Sequence, residues 1–296
     1  MSAWTGSASL AHERRRLSDF VALTKPRITF LVVLTALVGF VAAARGTGDL
    51  VLLARTLAGT ALVAGAASAL NQWAERDADA RMRRTLRRPL PAGRLMARDG
   101  AAFGLALAAG GIVYLALTVG VLAAALAAAT AASYLLVYTP LKRVTSLATV
   151  VGAVPGAIPP MIGWAAVRGR LDAGAWVLFF ILFFWQMPHF LALAAMYRRD
   201  YARAGFRVLS VVDPGGASTG RQSLVYALAL LPVSLMPPFL GMAGPFYFFG
   251  ALALGLGFVL YALRLALRPA AQPQAAGLFH YSLLYLPALC TLMALG

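Results

Sequence analysis

A short polar stretch between two long apolar runs carries the residue types that could do chemistry. It runs from Asn71 to Arg94 and contains the acidic residues Glu75, Asp77 and Asp79. If the preceding helix continues through it, Asn71, Glu75 and Asp79 stack on one helix face, and Asp77 points roughly the opposite way. Oxygen ligands of this kind suit Mg²⁺, which usually binds one or two carboxylates together with substrate phosphates. The stretch therefore predicts a magnesium site.

Eight arginines lie from Arg76 to Arg98, among the acidic residues and just after them. Guanidinium groups bind phosphate oxygens well, so the cluster could neutralise a polyphosphate. The alternative is a hydrophilic cytoplasmic loop with internal salt bridges, whose cations follow the positive-inside rule. The ordered Asn-x-x-x-Glu-x-x-x-Asp spacing at the end of an apolar helix favours the metal site over that alternative.

The composition places these residues in a membrane protein. Of the 296 residues, 61% are hydrophobic and only 12% are charged, which lies far outside the range of soluble globular proteins. Apolar runs of about 17–23 residues recur along the chain, which predicts an all-α polytopic membrane protein. The predicted spans are 28–44, 52–70, 100–118, 121–138, 146–164, 174–196, 223–241, 244–264 and 279–296. Residues 1–27 are predicted to be a cytoplasmic extension, and 28–296 a single transmembrane domain.

The positive charges predict the orientation of these spans. With the N-terminus inside, 22 of the 26 Lys and Arg residues fall in inside segments, and the outside loops hold Arg45, Arg55, Arg168 and Arg170. This bias supports nine spans with the N-terminus inside and the C-terminus outside. A net charge of +16 would suggest nucleic acid in a soluble protein. Here topology and anionic partners explain it better, so no nucleic-acid partner is expected.

Two further inside segments carry polar residues. The loop from Tyr138 to Thr145 sets Lys142 and Arg143 beside a hydroxyl-rich turn, which fits either a diphosphate contact or two ordinary positive-inside residues. The segment from Tyr197 to Gly205 follows an even-numbered span, as the first acidic stretch does, and suggests a weak internal repeat with two half-sites facing one cavity. Three prolines inside the fifth predicted span should kink it, either as a cavity wall or as a structural bend.

These motifs resemble those of the UbiA-type intramembrane prenyltransferases, and more narrowly their haem-directed branch. The first is Asn71-x-x-x-Glu75-Arg76-Asp77-x-Asp79-x-x-Met82-x-Arg84-Thr85. A K-P-R at 25–27, the Y-T-x-L-K-R-x-T loop at 138–145 and a W-Q-x-P-H-F…D-Y-x-x-A-G pattern at 185–205 are also typical of that branch. Many UbiA-type enzymes carry D-x-x-x-D in the last segment, whereas this chain has Asp200 and Ala204, which puts a second metal with two carboxylates in doubt. The resemblance covers roughly Lys25 to Asp213.

The resemblance implies nine transmembrane helices around a central cavity, in the cell inner membrane. It implies Mg²⁺-dependent transfer of a farnesyl group from farnesyl diphosphate to a vinyl group of protohaem IX (haem b), which gives haem O for terminal oxidases. The lipid bilayer and the downstream haem A synthase or oxidase assembly proteins are the expected partners. The alternatives are a UbiA-type aromatic prenyltransferase of quinone biosynthesis and a membrane carrier of anionic solutes.

The resemblance also implies roles for individual residues. The expected metal ligands are Asn71, Glu75, Asp79 and Asp200, and these with Lys142 form the predicted catalytic set. The residues expected to contact substrate are Arg76, Arg83, Arg84, Tyr138, Arg143, His189 and Tyr197. An intramembrane histidine is a functional hypothesis by default, so His189 could bind haem iron or assist proton removal. The alternative for His189 is a buried histidine that is bonded to a neighbouring helix. His280 could be either an interfacial residue or a second haem ligand.

Overall fold

The computed structural model describes residues 15–46, 48–269 and 271–295. Residues 1–14 of the predicted extension therefore lie outside the described part of the chain. Over the described ranges the chain is helical and contains no strand, which confirms the all-α prediction. The helices, labelled in chain order, are α1 (15–23), α2 (Pro26–Ala44), α3 (Leu50–Ala74), α4 (Arg76–Asp79), α5 (Ala97–Thr118), α6 (Val121–Ala132), a π-helix (Ser133–Tyr138), α7 (Thr139–Leu141), α8 (Ala148–Ala157), α9 (Pro159–Arg168), α10 (Ala173–Met196), α11 (Arg198–Arg203), α12 (Leu209–Val212), α13 (Ala217–Ser234), a 3₁₀ turn (Pro237–Leu240), α14 (Pro245–Leu267) and α15 (Gln272–Leu295).

Nine segments of the described residues are long and apolar enough to cross a membrane, as predicted. Six are single helices, and the others combine α6 with the π-helix and α7, α8 with α9, and α13 with the 3₁₀ turn. The seventh and ninth segments begin six or seven residues before the predicted positions, at Ala217 and Gln272. Their first turns are polar or small residues, so an apolar-run criterion starts too late even though the helix has already formed.

The fifth span is broken where its prolines predicted a kink. Helix α8 ends at Ala157, Ile158 separates the two pieces, and α9 starts with Pro159 and Pro160 in its first turn. Proline fits a first turn because the missing N–H would have no intrahelical acceptor there. The broken span and α10 are the two most buried of the nine, so together they form the centre of the bundle.

Close helix packing fixes the centre of the bundle against α2. Added Cβ atoms at Gly39 on α2 and Gly163 on α9 would collide with the backbones of the facing helices, at Pro160 and Ala36 respectively. Small residues of this kind let membrane helices approach closely. Helices α2, α9, α10 and α15 surround a small apolar hollow of about 20 Å³.

Helix α1 packs against the polar stretch instead of lying free. Leu23 is fully buried in a cluster with Ala69, Leu90 and Leu95. The Arg16 guanidinium donates to Asp99 at 2.8 Å, at the start of α5. Helix α1 therefore covers the end of α3 next to the polar stretch with its apolar side.

Candidate active site

The acidic stretch keeps a helical path beyond α3. The Glu75 N–H donates to the Asn71 carbonyl at 2.9 Å, and the Asp79 N–H donates to the Glu75 carbonyl at 2.8 Å. Asn71, Glu75 and Asp79 are only 2%, 6% and 1% exposed. The Asp77 side chain is 74% exposed, as its position between them predicted. Although α3 formally ends at Ala74, the i, i+4 succession of the three inward residues is confirmed.

Each of the three inward side chains is bound by a basic side chain, two of them from other segments. Lys142 pairs with Glu75 at 2.8 Å, and Arg88 pairs with Asp79 at 2.6 Å. Lys25, at the start of α2, donates to the Asn71 amide oxygen at 3.3 Å. Two carboxylates thus face three basic side chains, so the cluster is rich in groups that bind anions. Such a set of groups favours a multiply charged anion.

Lys25 reaches the cluster because of an unusual backbone. Its φ of 48° and ψ of 65° place it in the left-handed region, immediately before Pro26 begins α2. Non-glycine residues adopt this conformation rarely, and they do so where the surrounding structure imposes it. Burial of the ammonium, together with the nearby charges of Arg88 and Lys142, lowers the pKa of Lys25 to about 7.

Lys142 lies between the acidic stretch and two aromatic rings. Its ammonium is 4.4 Å from the Tyr138 ring centroid and 5.7 Å from that of Phe206. Burial alone would lower the pKa of Lys142, but the adjacent Glu75 carboxylate outweighs it and the pKa is raised. The backbone carbonyl of Lys142 also accepts a 2.8 Å hydrogen bond from the Arg207 N–H. One residue therefore joins three polar segments, and it stays charged.

The π-helix explains how the Tyr138 loop faces the acidic stretch. Its last turn is closed by the Thr139 N–H, which donates to the Tyr134 carbonyl five residues earlier. Pro140 follows, and a proline in a helix lacks an N–H and clashes with the carbonyl four residues before it, so a wider turn relieves the strain. The Thr139 hydroxyl then lies 3.2 Å from the Asn71 amide nitrogen.

The second inside segment packs directly on the first. The Arg84 guanidinium lies 5.2 Å from the Tyr197 ring centroid and 5.7 Å from that of Tyr201. Ala78 and Met82 share a buried cluster with Ala204 of the second segment and with Ala194, Phe206 and Val208, which lie just before and after that segment. The two predicted half-sites are thus in contact. Ala204, where related motifs have a carboxylate, is 4% exposed and fills this core.

The residues of the first stretch fit a magnesium ion. Asp79 offers an oxygen, Oδ1, that is buried and has no hydrogen-bond partner among the described residues. Unsatisfied buried acceptors are rare and point to a missing donor or ion. Asn71 and Glu75 add amide and carboxylate oxygens, the hard ligands that Mg²⁺ accepts beside substrate phosphates. No three His, Cys, Asp or Glu residues of the described chain lie close enough to form a metal site by themselves.

Four predicted residues lie at the margin of this cluster. Asp200 pairs with Arg203 at 3.6 Å, and among the described residues no ion pair joins it to the first stretch. Arg76 donates to the Trp73 carbonyl and lies beside the exposed Asp77. Arg83 and Arg143 are exposed, and within the described residues they form no ion pair. Their predicted roles in binding metal or substrate stay predictions.

His189 lies between α10 and α15. Its Nδ1 is 2.7 Å from the Ser282 hydroxyl, and its ring stacks between Trp185 at 5.2 Å and Phe279 at 4.9 Å. This arrangement is the one that the sequence left open as an alternative, a histidine bonded to a neighbouring helix. It fixes one ring nitrogen, and the predicted role toward haem stays a prediction.

Three residues of the charge cluster were not predicted from sequence. Lys25 and Thr139 belong to motifs that were noticed, K-P-R and Y-T-x-L-K-R, but neither was assigned to the site. Arg88 is one of eight arginines between residues 76 and 98, and its spacing from the acidic residues does not distinguish it from the other seven. Its pairing with Asp79 depends on the turns at residues 80–87, which only the folded chain shows.

The sequence of the chain is similar to that of known proteins. Residues 32–284 match the UbiA prenyltransferase family. A protein of Solibacter usitatus named protoheme IX farnesyltransferase is 48% identical over 288 residues, which cover 94% of this chain and 98% of that protein.

Solved structures show the same fold at low sequence identity. One, described as digeranylgeranylglyceryl phosphate synthase in membranes, is 14% identical, with a TM-score of 0.81 over 95% of this chain and 98% of that chain. A UbiA homolog from Archaeoglobus fulgidus, bound to GPP and Mg²⁺, is 15% identical, with a TM-score of 0.57 over 93% of this chain and 99% of that chain.

Proposed function

Because this chain belongs to the UbiA prenyltransferase family, and is therefore a prenyltransferase, we propose that it transfers a farnesyl group to protohaem IX. The donor is farnesyl diphosphate, the acceptor carbon belongs to a vinyl group of haem b, and the product is haem O. The observation that carries the proposal is the buried cluster of Asn71, Glu75 and Asp79 with its three basic side chains. The name of the 48% identical relative supports the choice of acceptor.

The cations of the cluster bind the diphosphate head. Lys142, Arg88 and Lys25 contact the oxygens of Glu75, Asp79 and Asn71. When a diphosphate arrives, they shift toward its oxygens, since a charged hydrogen bond to phosphate replaces one to carboxylate at little cost. Arg84 is held on Tyr197 and Tyr201 at the boundary with the second segment, which places a fourth cation at the same face.

The same cations promote departure of the leaving group. As the bond between the farnesyl carbon and oxygen breaks, negative charge collects on the diphosphate, and preorganised positive groups stabilise that charge. Mg²⁺, when bound by Asn71, Glu75 and Asp79, supplies further stabilisation of the leaving diphosphate. Tyr138 and Phe206, which flank Lys142, keep water away from the developing allylic cation.

The acceptor side is apolar and lies within the membrane spans. The vinyl group attacks the farnesyl cation, and addition of water to the resulting cation gives the hydroxyethylfarnesyl side chain of haem O. His189 lies on α10, three turns before Asp200, and we assign it to binding haem. Asp200 is proposed to complete the metal site when substrate is present, with Arg76, Arg83, Arg143 and Tyr197 contacting substrate at the inner surface.

We place the enzyme in the cell inner membrane, with its N-terminus cytoplasmic and its C-terminus outside. Both substrates are amphiphiles that partition into lipid, so they reach the site from the bilayer. The product is consumed by haem A synthase or passed to oxidase assembly proteins.

Purified protein incubated with farnesyl diphosphate, haem b and Mg²⁺ tests the proposal. We expect haem O, detected by mass, and no product when EDTA removes the divalent ion. A parallel reaction with aromatic quinone precursors in place of haem separates the two acceptor classes. Prenylation of the quinone precursor alone would contradict the haem assignment while keeping the family chemistry.

A further inference from the structure

A polar hollow lies at the end of the bundle opposite the cluster of Asn71, Glu75 and Asp79. It has a volume of about 170 Å³ and is lined by Arg45, Trp164, Arg168, Asp172, Gly174 and Leu240, among others. Helix α2 starts beside Asn71 and ends at Ala44, next to Arg45. Its 19 residues rise ~28 Å, so the two sites lie on opposite sides of a bilayer.

The polar groups of this outer hollow are incompletely paired. Trp164 is 2% exposed, and its Nε1–H has no hydrogen-bond acceptor among the described residues. One oxygen of Asp172, Oδ1, is likewise buried without a partner. Arg45 donates to the Leu240 carbonyl at 3.1 Å, and the Arg168 guanidinium lies 6.0 Å from the Trp164 ring centroid. Unpaired buried groups cost stability, so a bound molecule that satisfies them would be favoured.

The needs of these groups define the chemistry of the ligand. Two guanidinium groups and an indole N–H require an anion that accepts hydrogen bonds, such as a phosphate or a carboxylate. The Asp172 oxygen requires a donor on the same molecule, and a hydroxyl next to the anion supplies it. A phosphate ester with a free hydroxyl meets both requirements.

The small apolar hollow lies deeper in the bundle, along three helices that also line the polar one or lead to it. Val38 lies seven residues before Arg45 on α2, and Pro160 lies four before Trp164 on α9. Leu178 and Leu182 follow Gly174 on α10 at intervals of four. At 1.5 Å per residue the apolar hollow therefore lies about 6–10 Å deeper in the membrane. A polar mouth above an apolar hollow fits an amphiphile.

We propose that the outer hollow binds an anionic phospholipid of the outer leaflet whose headgroup carries hydroxyls. Phosphate oxygens accept from Arg45, Arg168 and the Trp164 indole, a headgroup hydroxyl donates to Asp172, and the start of an acyl chain covers the apolar hollow. The bound lipid joins the loops after α2, α9 and the 3₁₀ turn, because each contributes a lining residue.

Native mass spectrometry of the purified full chain with added phosphatidylglycerol tests this site. We expect Arg168→Gln to weaken lipid binding about fivefold, since one basic residue contributes about 1 kcal/mol to an anionic lipid contact. Trp164→Phe keeps an aromatic ring and removes only the N–H, and it should weaken binding by a similar factor of about five. Arg55→Gln, on the exposed face of α3 at the same end of the bundle, is the matched control and should bind like wild type.

Binding measurements with other ligands test whether the site recognises a phospholipid or a free phosphate. Phosphatidylcholine should bind more weakly than phosphatidylglycerol, and phosphatidic acid, which lacks the headgroup hydroxyls, should fall between them. Binding of inorganic phosphate as tight as that of the lipid would overturn the amphiphile assignment. Equal lipid binding by wild type, Arg168→Gln and Trp164→Phe, with all three eluting as folded protein, would overturn the site itself.

Discussion

The two carboxylate oxygens of Asp79 differ in their hydrogen bonding. Oδ2 accepts from Arg88 at 2.6 Å, whereas Oδ1 is buried and unpaired. An asparagine at this position keeps the size and one acceptor but loses the negative charge that a divalent cation needs. We expect Asp79→Asn to lower prenyl transfer by at least about 100-fold, the usual scale for losing one charge-stabilising group at a reaction centre.

Asp77 provides the matched control for that substitution. It lies on the same turn, but its side chain is 74% exposed and its cation contact, to Arg76, is 3.8 Å long. Asp77→Asn should therefore keep wild-type turnover and wild-type thermal stability, both measured with the same preparation and substrates. Comparable losses in the two variants would mean that the net charge of the stretch matters, and not an oxygen ligand.

Residue types and spacings were enough to predict which side chains turn inward. The Asn-x-x-x-Glu-x-x-x-Asp interval follows helical periodicity, which depends only on local backbone geometry. The partners of these side chains could not be predicted, because Lys25 and Lys142 are 46 and 67 positions away along the chain. Contacts at such separations depend on how the helices pack, which a single sequence does not encode in any local pattern.

At the scale of elements, the π-helix before Thr139 controls where that loop points. Pro140→Ala restores an N–H and removes the ring that clashes with the preceding turn, so a regular α-helix becomes accessible. Loss of the extra π-turn residue would rotate Thr139 and Lys142 relative to Asn71 and Glu75. We expect unchanged or higher thermal stability together with a large loss of turnover, measured by unfolding scans and by haem O formation. Full activity would show that the wide turn is only structural.

The contact between α10 and α15 permits a test of His189. The Ser282 hydroxyl lies 2.7 Å from the histidine Nδ1, and Trp185 also donates to the Ser282 carbonyl. If His189 binds haem, His189→Ala should raise the KM for haem b more than the KM for farnesyl diphosphate. Ser282→Ala removes the hydroxyl that contacts His189 and the Phe279 carbonyl, keeps the Trp185 hydrogen bond to the Ser282 carbonyl, and serves as the control for altered packing.

Two outcomes would contradict the haem role of His189. Equal effects of His189→Ala on both substrates would leave the histidine as a packing residue between its two aromatic neighbours. An effect of Ser282→Ala as selective as that of His189→Ala would instead show that the helix contact, and not the imidazole, influences haem binding.

At the scale of the whole molecule, the spans were predictable and the assembly was not. Hydropathy locates membrane helices because the bilayer requires about 20 apolar residues per crossing, whatever the helix contacts later. The break at Ile158 followed from its prolines. The order of packing, with α10 and the broken span at the centre, depends on glycines such as Gly39 and Gly163, which resemble the other small residues of the chain.

The orientation of the bundle makes a prediction for both ends. Because 22 of 26 basic residues fall on one side, the charge cluster should face the cytoplasm and the outer hollow the opposite compartment. Single cysteines at Arg83, after α4, and at Arg170, before α10, report these two sides, since both positions are exposed. Cys290, the one native cysteine, is first replaced by serine.

A membrane-impermeant maleimide applied to spheroplasts should then label Arg170→Cys, and label Arg83→Cys only after the membrane is opened with detergent. Both variants should react fully in detergent, which controls for local accessibility. The opposite pattern would place the diphosphate site outside the cell. The positive-inside argument would then fail for a chain with a strong charge bias, and farnesyl diphosphate made in the cytoplasm could not reach the cluster. The two sites would also exchange compartments, so the lipid expected at the outer hollow would come from the inner leaflet.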